Sequence, residues 1–213
     1  GSTLTECLLK AVRSLETGVN HLYMPKFEKV PENELYSYIK DGTDDRIFAV
    51  AELFRRGESA EKIYGVTRID MLFLDKIKAI VDFEKELSAN PMDAKKLYEA
   101  KRMGYSDACV ARLWGTGEDA VYSLRKKENI RPVYKMIDTC AGEFGCYVPY
   151  FYGTYEKENE SVCTDRKKII VLGSGPIRIG QGVEFDYSTV HAIKTIKEYG
   201  YEAIIINNNP ETV

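Results

Sequence analysis

Through the first 130 positions apolar residues recur at the three- and four-residue spacing of a helix, and after position 167 they gather into short continuous runs. Leu4, Leu8, Ala11, Val12 and Leu15 mark the first amphipathic stretch, with Gly18 as its stop signal. After Asp44, Ile47, Val50, Ala51 and Phe54 take the i, i+3, i+4 and i+7 positions of a second stretch that Gly57 ends. Thr67-x-x-Asp70 has the form of a capping box with Asp in place of Glu. It predicts the start of a long helix with Phe73, Leu74, Ile77, Ile80, Val81 and Leu87 on its apolar side. Asn90-Pro91-x-Asp93 predicts another start, with Pro91 at the first helical position, where its missing N–H is harmless.

A weak internal repeat runs through this half. Gly57 corresponds to Gly104 at an offset of 47, and Ser59, Ile63 and Val66 correspond to Ser106, Val110 and Leu113. Each copy reads as a helix ending at Gly, a short Ser-capped helix and a third helix, opened by Thr67-x-x-Asp70 or Thr116-x-x-Asp119. Two copies are too few for a solenoid, so the expectation is a duplicated helical unit packed as one bundle.

From Arg131 to about Arg166 the periodicity stops. Tyr134, Phe144, Tyr147, Tyr150, Phe151, Tyr152 and Tyr155 crowd into an irregular stretch with Pro132 and Pro149. So many rings predict a segment pinned onto a surface, with base stacking as the weaker rival and residues 156–160 as an exposed hinge. Lys168–Leu172 then reads as a strand of buried type ending in Gly173. Val190, Ile193, Ile196 and Lys197 fit a helix stopping near Gly200, and 202–207 reads as a second strand. Strand, glycine turn, helix, strand is the opening of a parallel α/β domain. Two strands do not make a covered parallel sheet, so the chain reads as cut within a domain.

The 213 residues carry 30 Lys+Arg against 33 Asp+Glu, a net charge of −3, with 44% hydrophobic residues. That balance argues against a dedicated nucleic-acid binder, and 15 Tyr and 8 Phe argue against disorder. Short helices joined at Gly still raise a helix–turn–helix reading, with Arg55, Arg56, Arg68, Arg102 and Arg112 as phosphate contacts. Glu52, Glu58, Glu61, Asp70, Glu99 and Asp107 interleave with them, which favours a solvated helix face. No apolar run approaches the roughly 20 residues that span a bilayer. Cys7, Cys109, Cys140, Cys146 and Cys163 form no disulfide framework, so a reduced cytoplasmic protein is expected. With His21 and His191 alone and no C-x2-C pair, no metal site is expected. Gly1-Ser2 reads as a cloning remnant.

Chemistry concentrates in the loop from Gly173 to Asp186, between a strand and a helix, where backbone N–H groups can meet an anion. A dinucleotide G-x-G-x-x-G requires Gly at the position of Arg178, and the acidic residue expected after the second strand is replaced by Asn207-Asn208-Asn209. Gly175-x4-Gly180 has Walker A spacing, but Gln181-Gly182 stand where Lys-Ser/Thr are needed. What remains is a glycine turn with one cation, Arg178, and the carboxylates of Glu184 and Asp186. Arg178 either meets a phosphate or carboxylate ligand or braces the turn by pairing with Glu184 or Asp186.

The run KKIIVLGSGPIRIGQGVEFDYSTVHA, followed by GYEAIIINNNPETV, closely resembles the large chain of carbamoyl phosphate synthetases, at the start of its second, carbamoyl-phosphate-forming half. RPVYKMIDTCAGEF, TYEKE, TRIDMLFLDKI and KAVRSLETG extend the resemblance over essentially the whole chain. It implies a mainly α oligomerisation domain at 3–130, an aromatic-rich strap at 131–166, and at 167–213 the start of a Rossmann-like pre-ATP-grasp domain, an incomplete parallel α/β segment. It further implies a parent ligase that makes carbamoyl phosphate from bicarbonate, two ATP with Mg (or Mn), and ammonia supplied from glutamine by a small glutaminase chain, for arginine and pyrimidine synthesis. The partners implied are other large chains, with neither nucleic acid nor membrane. Gly173, Gly175, Arg178, Gly180, Gln181, Gly182 and Glu184 become candidates for the wall of an internal carbamate passage, Gly182 and Glu184 foremost. No catalytic, ATP-binding or metal-ligating residue carries over, so this piece alone is expected to be inactive. The alternatives are a stand-alone self-association module and a helix–turn–helix nucleic-acid binder.

Overall fold

A computed structural model describes residues 1–15, 17–138, 143–145, 150–173 and 184–206. The chain divides into two units, one of Gly1–Lys135 with Tyr152–Asn159 and one of Met136–Phe151 with Glu160–Val213.

The first unit is helical: α1 (Leu4–Ser14), a 3-10 turn (Pro25–Phe27), α2 (Glu32–Lys40), α3 (Arg46–Arg55), α4 (Ala60–Thr67), α5 (Met71–Ala89), α6 (Ala94–Met103), α7 (Asp107–Trp114) and α8 (Glu118–Lys127). Helix α3 lies at its centre, and all seven residues from Phe48 to Phe54 are buried. It packs on α2 and α5, and α5 in turn touches α1, α4, α6 and α7. The predicted stripe of α5 is in the core except Phe73, which is half exposed. Sequence periodicity alone did not single out α2, which buries only Leu35 and Ile39.

The repeat is a structural one. α4 and α7 are both eight residues long and start 47 positions apart, as do α5 and α8. Ser59 accepts from the Lys62 N–H at 3.2 Å and Ser106 from the Cys109 N–H at 3.1 Å. Both helices end on a left-handed residue, Arg68 and Gly115. The ends of α3 and α6 close alike, with the Glu58 N–H on Leu53 O and the Tyr105 N–H on Ala100 O, both at 3.0 Å. This closure turns the chain through Gly57 (φ +93°) and Gly104 (φ +97°), a region that glycine enters without strain.

Four predicted details are corrected. Thr67 ends α4, its hydroxyl donating to Ile63 O, while Asp70 caps α5 by accepting from the Leu72 N–H at 2.8 Å. Thr116 likewise caps nothing, and α8 starts from Gly117 without a side-chain bond. Pro91 lies in the turn before α6, because the Asp93 carboxylate reaches the N–H groups of Lys95 and Lys96 and sets the start there. On α1, the predicted stripe turns mostly outward. Leu9, Val12 and the carboxylate of Glu6 are buried, whereas Leu4, Ala11 and Leu15 are exposed.

Where an irregular strap was expected, β1 (Val133–Met136) and β2 (Phe151–Thr154) pair as a two-stranded sheet. Within the helical unit, Thr154 is buried and the Lys10 ammonium donates to Gly153 O. The Tyr155 ring packs on the core, 5.1 Å from the Lys101 ammonium and 5.9 Å from the Arg125 guanidinium. Tyr155 is therefore pinned, and the Tyr152 ring lies 5.6 Å from the Lys10 ammonium, while Tyr134, Phe144 and Tyr150 are exposed and Tyr147 and Pro149 lie outside the described residues.

In the second unit β3 (Lys168–Leu172), α9 (Glu184–Glu198) and β4 (Glu202–Ile206) follow the predicted order. The strands are parallel, in register from Lys168↔Glu202 to Leu172↔Ile206. Gly200 (φ +80°) closes α9, with the Tyr201 N–H on Ile196 O at 3.2 Å. The strands are not buried as their composition predicts: Ile170, Leu172 and Ile206 are all more than half exposed. A two-stranded ribbon packed on a single helix has one covered face at most.

Candidate functional site

The predicted glycine loop leaves the carboxyl end of β3 and returns as the first turn of α9. The Gly173 N–H donates to Ile206 O at 2.8 Å, extending the β3–β4 ladder by one step beyond the paired residues. The described residues that bracket the loop are thus the carboxyl end of β3 and the start of α9, a 15-residue helix, and in parallel α/β sheets ligands usually bind between two such ends. Of the candidate residues, Gly173 and the backbone of Glu184 are placed here. Gly175, Arg178, Gly180, Gln181, Gly182 and the Glu184 side chain lie outside the described residues, as do Asn207–Asn209.

In the helical unit four of the five arginines offered as phosphate contacts meet groups of the unit itself, while Arg102 is exposed on α6. Arg55 meets both oxygens of Glu84 (Nε–Oε2 2.8 Å, Nη2–Oε1 2.6 Å) and also donates to Leu22 O. Arg56 binds Glu52 at 3.0 Å and the carbonyls of Val30, Phe27 and Glu28. Arg112 lies over the Tyr23 ring at 4.2 Å, and Arg68 5.3 Å from the Tyr64 ring. Arg55 and Arg56 are struts that tie α3 to the loop before α2 and to α5.

The Glu84 cluster is the most buried of these. His21 Nε2 lies 2.8 Å from Glu84 Oε1, with its ring 4.5 Å from Tyr105. Burial works to raise the Glu84 carboxyl, but the bonds from Arg55 and His21 and the Arg55 charge outweigh it and hold it at about 2. Burial lowers His21, and the bond to Glu84 only partly offsets this. Periodicity missed the cluster because its members are 29 and 63 positions apart. The available signal was Glu84 itself, a carboxylate three residues after Val81 and three before Leu87 in the apolar stripe.

A second cluster lines a cleft of about 280 Å³. Lys101 Nζ donates to Tyr105 O and to Asp107, each at 2.8 Å, and Arg125 binds the same carboxylate at 2.6 Å. Burial lowers the Lys101 ammonium against the pull of Asp107. Arg13 donates to Gly104 O at 2.7 Å, and Lys10 pairs with Glu6 at 2.6 Å. These charges brace one another and the strap. Burial pushes the Cys109 thiol up to about 11, leaving it a poor nucleophile. Among the described residues no group of three or more His, Cys, Asp or Glu is placed to hold a metal ion, and no helix is long and apolar enough to cross a membrane.

Comparison with known families assigns both parts. Residues 1–129 match the family model described as carbamoyl-phosphate synthetase large chain, oligomerisation domain. Residues 165–213 match that of the carbamoyl phosphate synthase preATP-grasp domain. The first match covers the eight helices of the helical unit and more than half of the chain, and the second covers β3, the glycine loop, α9 and β4. On these grounds the chain belongs to the carbamoyl-phosphate synthetase large chain family.

Proposed function

We propose that this chain serves within a carbamoyl phosphate synthetase that joins bicarbonate and ammonia, at the expense of two ATP, into carbamoyl phosphate for arginine and pyrimidine synthesis. The observation that carries the reading is the order of the two matches on one chain, oligomerisation domain first and preATP-grasp domain second. The helical unit associates with other large chains, and ammonia comes from glutamine through a small glutaminase chain. Cys7, Cys109 and Cys163 are free thiols, in keeping with a reducing cytoplasm. ATP and Mg or Mn are assigned in this reading to other parts of the enzyme, because the family resemblance carries no ATP-binding or metal-ligating residue onto this chain. A nucleic-acid role draws little support, with Arg55 and Arg56 engaged inside the helical unit.

In this reading the glycine loop, with Gly173, Gly175, Arg178, Gly180, Gln181, Gly182 and Glu184, walls the carbamate passage. Carbamate is small, anionic and unstable in water, so its route must be close-walled, and glycine lets backbone N–H groups come near it. Gly182→Phe in the full-length enzyme tests this: ATP hydrolysis is expected to continue while carbamoyl phosphate yield per ATP falls. An unchanged yield per ATP would sink the passage assignment. The chain alone, given MgATP, bicarbonate and ammonia, is expected to form no carbamoyl phosphate.

A further inference from the structure

The cleft of about 280 Å³ beside α1 holds charges that its own ion pairs do not account for, and all its lining residues lie within the first unit. Two of its acids are engaged, Glu6 with Lys10 at 2.6 Å and Asp107 with both Lys101 and Arg125. Arg13, a half-buried base in the same lining, has no such partner. Its one bond among the described residues runs from Nη1 to Gly104 O at 2.7 Å, and no carboxylate among them pairs with it. Burial lowers its guanidinium against the pull of Glu6. Its other N–H groups stay open to solvent, since among the described residues only His21 Nδ1 and Arg55 Nη1 are both buried and without a bond.

The bond to Gly104 O sets the Arg13 guanidinium two residues from Ser106, whose hydroxyl accepts from the Cys109 N–H and keeps its own proton to donate. Glu118, the first residue of α8, lines the same cleft, is exposed, and pairs with no base among the described residues. An unpaired guanidinium and an unpaired carboxylate in one small space attract the opposite ends of a ligand. A simple anion would satisfy Arg13 and meet repulsion from Glu118. A carboxylate and an ammonium carried on one carbon satisfy both. The cleft falls just short of the roughly 300–1,000 Å³ of drug-sized sites, which favours a small molecule over a nucleotide or a peptide. Tyr155 adds an aromatic wall for the rest of such a molecule.

We infer that this cleft binds the head group of a free α-amino acid, its carboxylate on Arg13 and the Ser106 hydroxyl and its ammonium on Glu118. Amide NMR of the isotope-labelled chain tests it, with L-alanine as the probe and acetate and methylammonium as the two halves of its charge. L-alanine is expected to shift the Gly104 and Ser106 amide signals saturably, with a Kd of about 1 mM, and each half is expected to bind at least about 10-fold more weakly. Arg13→Gln should weaken L-alanine and acetate alike. Glu118→Gln, a change at an exposed residue, should weaken L-alanine about 10-fold and leave acetate as it was. Trp114 fluorescence and the amide signals remote from the cleft report whether each variant remains folded, and the Glu118→Gln comparison stands even if Arg13→Gln fails to fold. Signals that do not move, or that move without saturating, overturn the site. Acetate that binds as tightly as L-alanine, with Glu118→Gln without effect, overturns the amino-acid assignment and leaves an anion site.

Discussion

Gly57 and Gly104 have nearly the same backbone conformation in two copies of one helical unit, and they should differ sharply in tolerance of alanine. At φ near +95° any side chain is strained, so each Gly→Ala change starts from a loss of about 1 kcal/mol. At Gly57 nothing lies within 4 Å of the new methyl. At Gly104 it falls 2.9 Å from Cα and 3.3 Å from the carbonyl oxygen of Glu6, backbone atoms of α1 that cannot swing aside. Moving α1 disturbs Leu9 and Val12 in the core and the Arg13 bond to Gly104 O. Overpacking of that kind adds about 1–3 kcal/mol. Gly57→Ala is therefore expected near 1 kcal/mol and Gly104→Ala near 2–4 kcal/mol. Urea unfolding followed by fluorescence measures both, because the chain's single Trp, Trp114, is buried in the helical unit. Since the obstacle is backbone, Glu6→Ala should not rescue Gly104→Ala. Equal losses at the two glycines, or rescue by Glu6→Ala, would refute the reasoning.

Two further outcomes follow from the buried cluster. Glu84→Gln takes from Arg55 the carboxylate that binds it through two nitrogens, leaving only the longer Glu52 pair at 3.6 Å, and should lower stability by about 3 kcal/mol in the same urea assay, whereas Lys78→Ala, at an exposed pair with Asp82, should change it by less than about 1 kcal/mol. Acid should destabilise the helical unit in two stages, because both folded pKa values are depressed. His21 stays neutral in the fold, so stability falls once the pH drops below 6.5, where the unfolded chain takes up its proton; Glu84 adds a second loss between 4.5 and about 2. Each group contributes a slope of at most about 1.4 kcal/mol per pH unit, and His21→Gln should flatten the upper stage alone in a series of urea midpoints against pH.

Much of the architecture follows from local signals. Glycine stops, serine caps and three-to-four spacing foretell α1, α3, α4, α5 and α7, and the offset of 47 foretells that α4 and α7 are copies. Those signals work because a helix is bonded within four residues of itself. They place helix ends less well. At α5 and α6 an aspartate carboxylate that reaches the first free N–H groups sets the start, and Thr67 and Pro91 do not. For the candidate loop, the flanking strand and helix were legible in the sequence and Gly173 continues the β3–β4 ladder, while residues 174–183 lie outside the described residues.

By itself the sequence determined a helical unit with a duplicated core, followed by strand, loop, helix and strand, since each rests on neighbours in the chain. Only the tertiary structure decided which stripe of α1 enters the core and which faces out. It alone brought Arg55 and His21 to Glu84, Arg125 and Lys101 to Asp107, and Gly153 to Lys10. Hydrophobic spacing shows that a helix has an apolar face, but not what that face meets. Charges separated by tens of residues pair only after packing removes them from water, where an unpaired ion is too unstable to remain.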